Sequence, residues 1–276
     1  MTAQPETASR QRPKSARKRT RLSSVANAMR LLRVFSDDDF EIGVSELAKR
    51  LGLAKSTVHR LASTLVRERI LERGPRDGKY RLGLVLFELG ALVRRKMDVS
   101  AEARPQLKAL MERTGETVHL AVLDDHSVLY VNRIESRRAI RMGFGLGVRA
   151  PLHCTALGKA LLAFQPEAVI DEVIANGLPP RTANTITGAQ AFRQELAGVR
   201  ARGYAIEDEE IEAGLRSIAT AVRNDAGDVI AAIGIAGPAH RMTKKVLLSY
   251  ARELMAATDA VSQRLGYQPV PAQKRA

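Results

Sequence analysis

A dense group of hydrogen-bonding side chains lies between residues 55 and 60 of this 276-residue sequence: Lys55, Ser56, Thr57, His59 and Arg60. Lysine and arginine donate to guanine edges, and hydroxyl groups and histidine bond to bases or phosphates. The same residue types also occur on the solvated face of an ordinary helix. Which interpretation holds depends on the elements that present the group.

Two further polar groups have residue types used in catalysis or metal binding. His153 stands beside Cys154, as a base beside a nucleophile, but adjacent residues seldom face each other and no third orienting residue is indicated. Five dispersed histidines and one cysteine give no zinc-like spacing. The glycines of GFGLG at 143–147 do not precede a helix start, so they are a weak nucleotide motif. We predict no catalytic residue, no metal and no cofactor.

A run of five carboxylates leaves several interpretations open. It is a solvated loop with ion pairs, a source of one or two carboxylates aimed into a pocket, or, less favoured, a cation site. Its members are Glu207, Asp208, Glu209, Glu210 and Glu212.

The net charge of +14 is unevenly distributed along the chain. Residues 1–85 contain 19 Lys and Arg against 9 Asp and Glu, whereas residues 86–276 contain 25 against 21. This distribution indicates a polyanion-binding module joined to a nearly balanced body. The single cysteine, and the lack of a signal-peptide pattern or a long apolar run, predict a cytoplasmic protein without a membrane partner.

Residues 1–22 are rich in Arg and Lys and have almost no apolar side chains. Such a segment cannot bury enough surface to fold, so we predict a disordered basic tail. It either follows a phosphate backbone or is inert.

The periodicity after this tail predicts three helices. The first begins near Ser23 and buries Val25, Met29, Leu32 and Phe35, with Ala28 and Leu31 beside them. The second is capped by Ser45 and ends at Gly52. The third runs from Lys55 to Arg69 with Val58, Leu61 and Leu65 inward, which leaves the polar group at its exposed N-terminal end. This arrangement is a helix-turn-helix, whose second helix enters the major groove.

The segment ILERGPRDGKYRL predicts a hairpin directly after the third helix. Its strands are 70–73 and 79–82, and Asp77-Gly78 supplies the turn. Tyr80 and Leu82 are expected to face inward, with Lys79 and Arg81 outward. A basic hairpin here makes a winged helix-turn-helix, and the candidate DNA-binding residues are Ser45, Lys55, Ser56, Thr57, His59, Arg60, Lys79 and Arg81.

The sequence of the remaining chain predicts one apolar helix followed by an α+β domain. The helix, 84–95, is expected to pack on a partner subunit or the next domain, or else on its own wing. Hairpins are predicted at 117–134 and 219–235, a strand at 140–144, and helices at 101–113, after Thr155, at 192–202 and at 243–265. Hairpins flanked by helices favour an antiparallel sheet.

Several motifs together resemble the IclR family of bacterial transcriptional regulators: SELAKRLGLAKSTVHRL, GKYRLG, GETVHLAVLD, RAPLHCTALGKALLA, RGYAIEDEE and AAIGIAGP. The resemblance implies a winged helix-turn-helix at 23–83, a dimerisation linker at 84–98 and a GAF-like effector domain at 99–270. It also implies homodimers or dimers of dimers on pseudo-palindromic operators.

The family's effector pocket falls on nine positions of this chain, which the resemblance alone supplies. Its wall would include Met142, Ala150, Ala156, Leu157 and Leu215, and its polar positions would be Glu207, Ser217, Gly234 and Ala236. Gly234 and Ala236 stand where some members have serine, and Ser217 where cysteine is frequent. Two hydroxyl donors are therefore missing, which favours a larger and less polar ligand, such as an aromatic acid, over a 2-oxoacid.

These observations predict a DNA-binding transcriptional regulator that responds to a small organic acid. The alternative is an enzyme of small-molecule metabolism with an accessory basic domain. The lack of a catalytic constellation favours the regulator.

Overall fold

A computed structural model describes residues 24–36, 38–74, 78–95, 98–138 and 144–268 of the chain. The basic tail, Met142 and nearly all of the strand predicted at 140–144 lie outside these residues. The chain divides into two compact units, Met1–Val93 and Arg94–Ala276, so the boundary falls within the segment predicted as a linker. None of the described helices is long and apolar enough to cross a membrane.

The first unit has the predicted winged-helix order of elements. Its members are α1 (Ser24–Leu32), α2 (Val44–Leu51), α3 (Lys55–Arg67), β1 (Leu71–Arg73), β2 (Tyr80–Leu82) and α4 (Leu84–Arg95). Leu31, Leu47, Val58 and Tyr80 meet in its core. The antiparallel wing pairs Leu71 with Leu82, and an isolated bridge adds Ile42 beside Tyr80.

The buried face of α1 differs from the predicted one. Val25 and Met29 are 72% and 49% exposed, whereas Leu31 is fully buried. Leu32 and Phe35 of the predicted face do pack against the core beside Leu31, so the helix is turned towards Leu31 and away from Val25 and Met29. Leu82, also predicted to face inward, is 39% exposed because it ends its strand at the margin of this core.

Two helix ends differ from prediction. Ser45 is not the cap of α2, because the helix begins at Val44 with Gly43 as N-cap, and the Leu47 amide donates to the Gly43 carbonyl at 3.0 Å. The third helix ends at Arg67 rather than Arg69. Arg69 has a φ of 58°, and the Ile70 amide closes the last turn on the Leu65 carbonyl.

The second unit is the predicted α+β domain. Its helices are α5 (Asp98–Thr114), α6 (Ala156–Leu162), α7 (Glu167–Ala175), α8 (Ala189–Arg202) and α9 (Lys244–Arg264). Its strands are β3 (Thr117–Asp124), β4 (Ser127–Ile134), β5 (Arg149–Pro151), β6 (Ala205–Asp208), β7 (Leu215–Arg223) and β8 (Val229–Pro238). They form one antiparallel sheet in the order β5-β4-β3-β8-β7-β6.

Both faces of this sheet are buried. One face packs on α5 and α9 through residues such as Leu120 and Ile233. The opposite face packs on α6, α7 and α8 and carries small residues, among them Ala121, Ala219 and Ala232. In the strand register Glu207 faces Ser217, Ser217 faces Ala236, and Gly234 faces His119. The polar positions implied by the resemblance therefore share the small-residue face.

Candidate functional site

The N-terminal end of α3 presents the polar group of residues 55–60. Gly52 closes α2 with a φ of 66°, and α3 starts three residues later. Val58 and Ala62 are fully buried and fix the opposite face of the helix. Lys55, Ser56, His59 and Arg60 are exposed and Thr57 is half-buried.

The basic side chains of this group are not occupied by other parts of the chain. Within the described residues, Lys55, His59 and Arg60 form no side-chain hydrogen bond or ion pair. The helix contains no Asp or Glu, so its exposed end is purely basic. A helix that keeps unpaired cations and hydroxyl groups on its outer face is suited to a polyanion.

The flanking candidates are placed differently. Ser45 is exposed in the first turn of α2. Arg81 is held by Glu72, with the guanidinium Nη2 2.9 Å from Oε2, and lies 3.7 Å from Glu41. Lys79 is exposed on the wing. The positive charge of Arg81 is thus partly neutralised, whereas the charges of Lys55 and Arg60 on α3 are not.

A small, partly open cavity lies between the small-residue face of the sheet and α6. Only about 20 Å³ of this space is wide enough for the centre of a water molecule. That is space for roughly one water. The wall consists of His119, Tyr130, Phe144, Thr155, Ala156, Leu157, Ile211, Leu215, Ser217, Ile218, Gly234 and Ala236.

Six of the nine implied effector positions line this cavity: Ala156, Leu157, Leu215, Ser217, Gly234 and Ala236. Glu207 lies behind the wall, joined to it through Ser217. Ala150 is buried on β5 outside the lining, and Met142 lies outside the described residues.

The space that the absent side chain of Gly234 was expected to leave for a ligand is filled by Leu157. A β-carbon at this position would be 3.1 Å from Leu157 Cγ and 3.2 Å from the Ile218 carbonyl. The Leu157 side chain therefore takes the volume that a larger residue on β8 would occupy. An aromatic ligand requires Leu157 to move.

Two polar residues of the wall, His119 and Tyr130, were missed in the sequence. Their rings meet edge to face at 5.2 Å, and His119 Nε2 lies 3.2 Å from the Phe144 carbonyl. Burial and the charge of Arg133 lower the pKa of His119 to about 4, so the ring is neutral. The Tyr130 hydroxyl makes no hydrogen bond to a described residue. Both residues lie between apolar residues on strands that are buried on both faces. This position in the sequence was the signal that could have identified them as buried polar residues.

Glu207 is fully buried and receives three hydrogen bonds. Its Oε1 accepts the Glu210 amide at 2.7 Å and the Ile211 amide at 3.4 Å, and its Oε2 accepts the Ser217 hydroxyl at 3.1 Å. Burial raises the pKa of Glu207 to about 7, although these hydrogen bonds oppose the increase. The charge state of this carboxyl is therefore responsive near neutral pH.

Three other members of the acidic run, Asp208, Glu209 and Glu210, form ion pairs. Glu210 Oε1 lies 2.7 Å from the ammonium of Lys159, a side chain of α6 that is only 1% exposed. Asp208 pairs with Arg216 and with Lys244. Among the described residues, no group of three or more His, Cys, Asp or Glu has the arrangement of a metal site.

His153 and Cys154 do not form a catalytic pair. His153 Nε2 lies 3.0 Å from the Pro179 carbonyl, and its ring contacts Phe192 edge to face. Burial raises the pKa of the Cys154 thiol to about 12, so the sulfur is a thiol and not a nucleophilic thiolate.

Sequence comparisons identify the family. The model of the IclR helix-turn-helix domain matches residues 24–75, and that of the bacterial transcriptional regulator IclR C-terminal domain matches residues 91–263. The chain belongs to the IclR family of bacterial transcriptional regulators. These matches confirm the predicted resemblance to the IclR family and the two-domain fold class. They also confirm the interpretation of the protein as a regulator rather than an enzyme.

Individual relatives match the chain over nearly its full length. The transcriptional regulator KdgR of Escherichia coli is 36% identical over 251 residues, which cover 91% of this chain and 95% of KdgR. XynR of the same organism is 34% identical, with coverages of 89% and 98%. Among solved structures, an IclR homologue from Microbacterium hydrocarbonoxydans complexed with 4-hydroxybenzoate has a TM-score of 0.78. It is 32% identical, with coverages of 88% of this chain and 99% of the homologue.

Proposed function

We propose that this IclR-family regulator reads double-stranded operator DNA with the N-terminal end of α3. The observation that carries the proposal is the set of exposed, unpaired side chains there: Lys55, Ser56, His59 and Arg60, with Thr57 beside them. Arg60 and Lys55 would donate to guanine. Lys79 and Arg81 of the wing and Ser45 of α2 would contact the flanking backbone.

Arg60→Ala tests this assignment, and Arg67→Ala is its matched control. The Arg67→Ala substitution also removes one positive charge, but from the exposed last turn of the same helix. With a labelled duplex selected from a random library by the wild-type protein, anisotropy should show Arg60→Ala binding about 5- to 150-fold more weakly. Arg67→Ala should stay near wild type. Equal affinity of the two variants would refute the role of α3.

We further propose that α4 joins two copies of the chain. Its exposed apolar side chains, which no described residue covers, are Leu84, Phe87, Leu89 and Leu92. A group of large exposed apolar side chains on one helix is typical of a protein interface. A two-fold dimer would present two recognition helices to a pseudo-palindromic operator.

Phe87→Glu tests the dimer, because Phe87 is 72% exposed and its replacement should not disturb the core. Sedimentation should show a higher dimer dissociation constant for this variant. Leu248→Glu makes the same kind of change on α9 and should leave the dissociation constant unchanged. Identical sedimentation of both variants and wild type would refute the assignment.

The cavity is proposed to bind a small organic acid, with aromatic acids preferred to 2-oxoacids. Support comes from the aromatic wall of Tyr130, His119 and Phe144, and from the homologue complexed with 4-hydroxybenzoate. Binding would displace Leu157 and change the affinity for DNA, with a coupling of about 1–3 kcal/mol as is typical of allosteric proteins.

A thermal-shift panel of 4-hydroxybenzoate, benzoate, pyruvate and glyoxylate tests the ligand class. An aromatic acid at 100 times its Kd should stabilise the protein by about 2.7 kcal/mol. Ala236→Leu, which fills the cavity wall, should abolish this stabilisation without affecting duplex binding. A response to pyruvate or glyoxylate alone would refute the preference for aromatic acids.

A further inference from the structure

The described wall of the effector cavity offers no positive charge to an organic acid. Among the described residues of its wall none is Lys or Arg, and His119 is neutral because its pKa is lowered to about 4. A carboxylate that enters this small and largely apolar space loses its hydration and finds no cation among the described wall residues. Such an unpaired buried charge is strongly unfavourable.

A second carboxylate lies directly behind the wall. The Ser217 hydroxyl lines the cavity and donates its hydrogen to Glu207 Oε2 at 3.1 Å. A serine has one hydrogen to donate, so Ser217 presents only lone pairs to the cavity while Glu207 is ionised. A ligand carboxylate at Ser217 would therefore meet lone pairs and a negative charge behind them.

The groups around Glu207 do not compensate its charge. From the loop after β6, the Glu210 carboxylate raises the pKa of Glu207, and Lys159 is already bound to Glu210. From β4 and the segment before α6, Tyr130 and Cys154 face Glu207, and burial raises the pKa of both, so they are neutral. From β7, Ser217 contributes only a hydrogen bond.

One added proton removes the negative charge of Glu207 and frees the Ser217 hydroxyl hydrogen for the ligand. When a proton from solvent binds Glu207 Oε2, the new hydroxyl group donates to Ser217 Oγ. The Ser217 hydrogen is then released from Glu207 and can turn towards the ligand. The amide hydrogen bonds to Oε1 remain, because a protonated carboxyl keeps an acceptor oxygen. The site then carries one negative charge, that of the ligand.

We propose that the cavity takes its effector acid together with one proton, which binds Glu207 and lets Ser217 donate its hydroxyl hydrogen to the effector carboxylate. Glu207 is thus a specificity-determining residue that makes the site selective for a monoanionic acid without an arginine or lysine. The proposal rests on the cavity being the effector site, as proposed above.

Isothermal titration calorimetry of the full chain with 4-hydroxybenzoate tests the proton. Titrations in two buffers of different ionisation enthalpy give the number of protons taken up. At pH 8.5 this number should approach one, and Kd should be about 30-fold weaker than at pH 6, given the pKa of Glu207 near 7. The neutral amide benzamide, which has no phenol to ionise at pH 8.5, should bind without proton uptake and with the same Kd at both pH values.

Glu207→Gln identifies the residue that takes up the proton. This variant should bind 4-hydroxybenzoate with no proton uptake and with a Kd that does not change between pH 6 and 8.5. Glu212→Gln removes an exposed carboxylate from the same acidic run and should retain the behaviour of wild type. Proton uptake that persists in Glu207→Gln would overturn the assignment to this residue.

The remaining outcomes separate this inference from the proposed effector site. If wild type binds 4-hydroxybenzoate with the same Kd at pH 6 and 8.5, only the proton coupling is refuted. If neither wild type at pH 6 nor Glu207→Gln binds it, both proposals fail, because the acid should enter the cavity when residue 207 is uncharged.

Discussion

Replacing Glu207 by glutamine should stabilise the folded protein at neutral and alkaline pH more than at acidic pH. Glu207 is fully buried, and its pKa is about 7 in the folded protein against 4.5 for an ordinary glutamate. Because the folded pKa is raised, the contribution of this carboxyl to stability is fully present below pH 4.5. It is lost as the pH rises through 7. Glutamine has no such charge to bury.

The size of the effect follows from the pKa difference. A shift from 4.5 to about 7 corresponds to a penalty on the order of 3 kcal/mol for the ionised carboxylate. Glutamine keeps the size of the side chain and an oxygen that can accept the Glu210 amide. Its amide group can donate to Ser217, so the replacement should preserve the local hydrogen bonds.

Urea unfolding of wild type and Glu207→Gln at pH 5, 6, 7 and 8 measures this difference. The free energy of unfolding of the variant minus that of wild type should increase steadily with pH and become nearly constant above pH 8. Any fixed effect of the amide is the same at every pH and cancels in the trend. Glu212→Gln should show no trend. A flat difference for Glu207→Gln would refute the reasoning that burial controls the charge of this residue.

Three further outcomes are expected. Lys159→Met leaves Glu210 buried without its cation and should lower the free energy of unfolding by about 3–5 kcal/mol in urea titrations; a loss under 1 kcal/mol would contradict a buried pair. Tyr130→Phe should unfold like wild type but bind 4-hydroxybenzoate several-fold more weakly in calorimetry, because the free hydroxyl donor is lost; unchanged Kd would exclude this contact. Deleting residues 2–22 should weaken binding to all duplexes alike and reduce the salt dependence in anisotropy; a selective loss for one operator would mean that the tail reads bases.

The winged helix was predictable because its signals are local. Gly52 ends one helix and Lys55 begins the next, as the pattern indicated, and Tyr80 is buried on the wing. The orientation of α1 was not predictable in the same way. Both of its apolar stripes, those of Val25 and Leu31, satisfy a helical period, and only tertiary packing decides between them.

The hairpins of the second domain were also predictable from local signals, but the order in which they assemble into one sheet was not. The pairing of β3 with β8 joins segments more than 100 residues apart, and nothing in either strand specifies it. Strands β5 and β6 were missed because they have three and four residues, too few to show a period, and no Asp-Gly turn marks them as it marks β1 and β2. His119 and Tyr130 were overlooked for a related reason, since strands buried on both faces do not alternate between polar and apolar residues.

The buried Lys159 restricts how the cavity can open. Ala156 and Leu157 form part of the wall in the first turn of α6, and Lys159 follows them and binds Glu210. The Glu210 amide in turn donates to Glu207. A ligand that displaces Leu157 must therefore move the first turn of α6 against an anchored second turn, or break a buried ion pair. Breaking the pair costs more than the coupling energy of about 1–3 kcal/mol that a regulator needs, so we expect movement in the first turn.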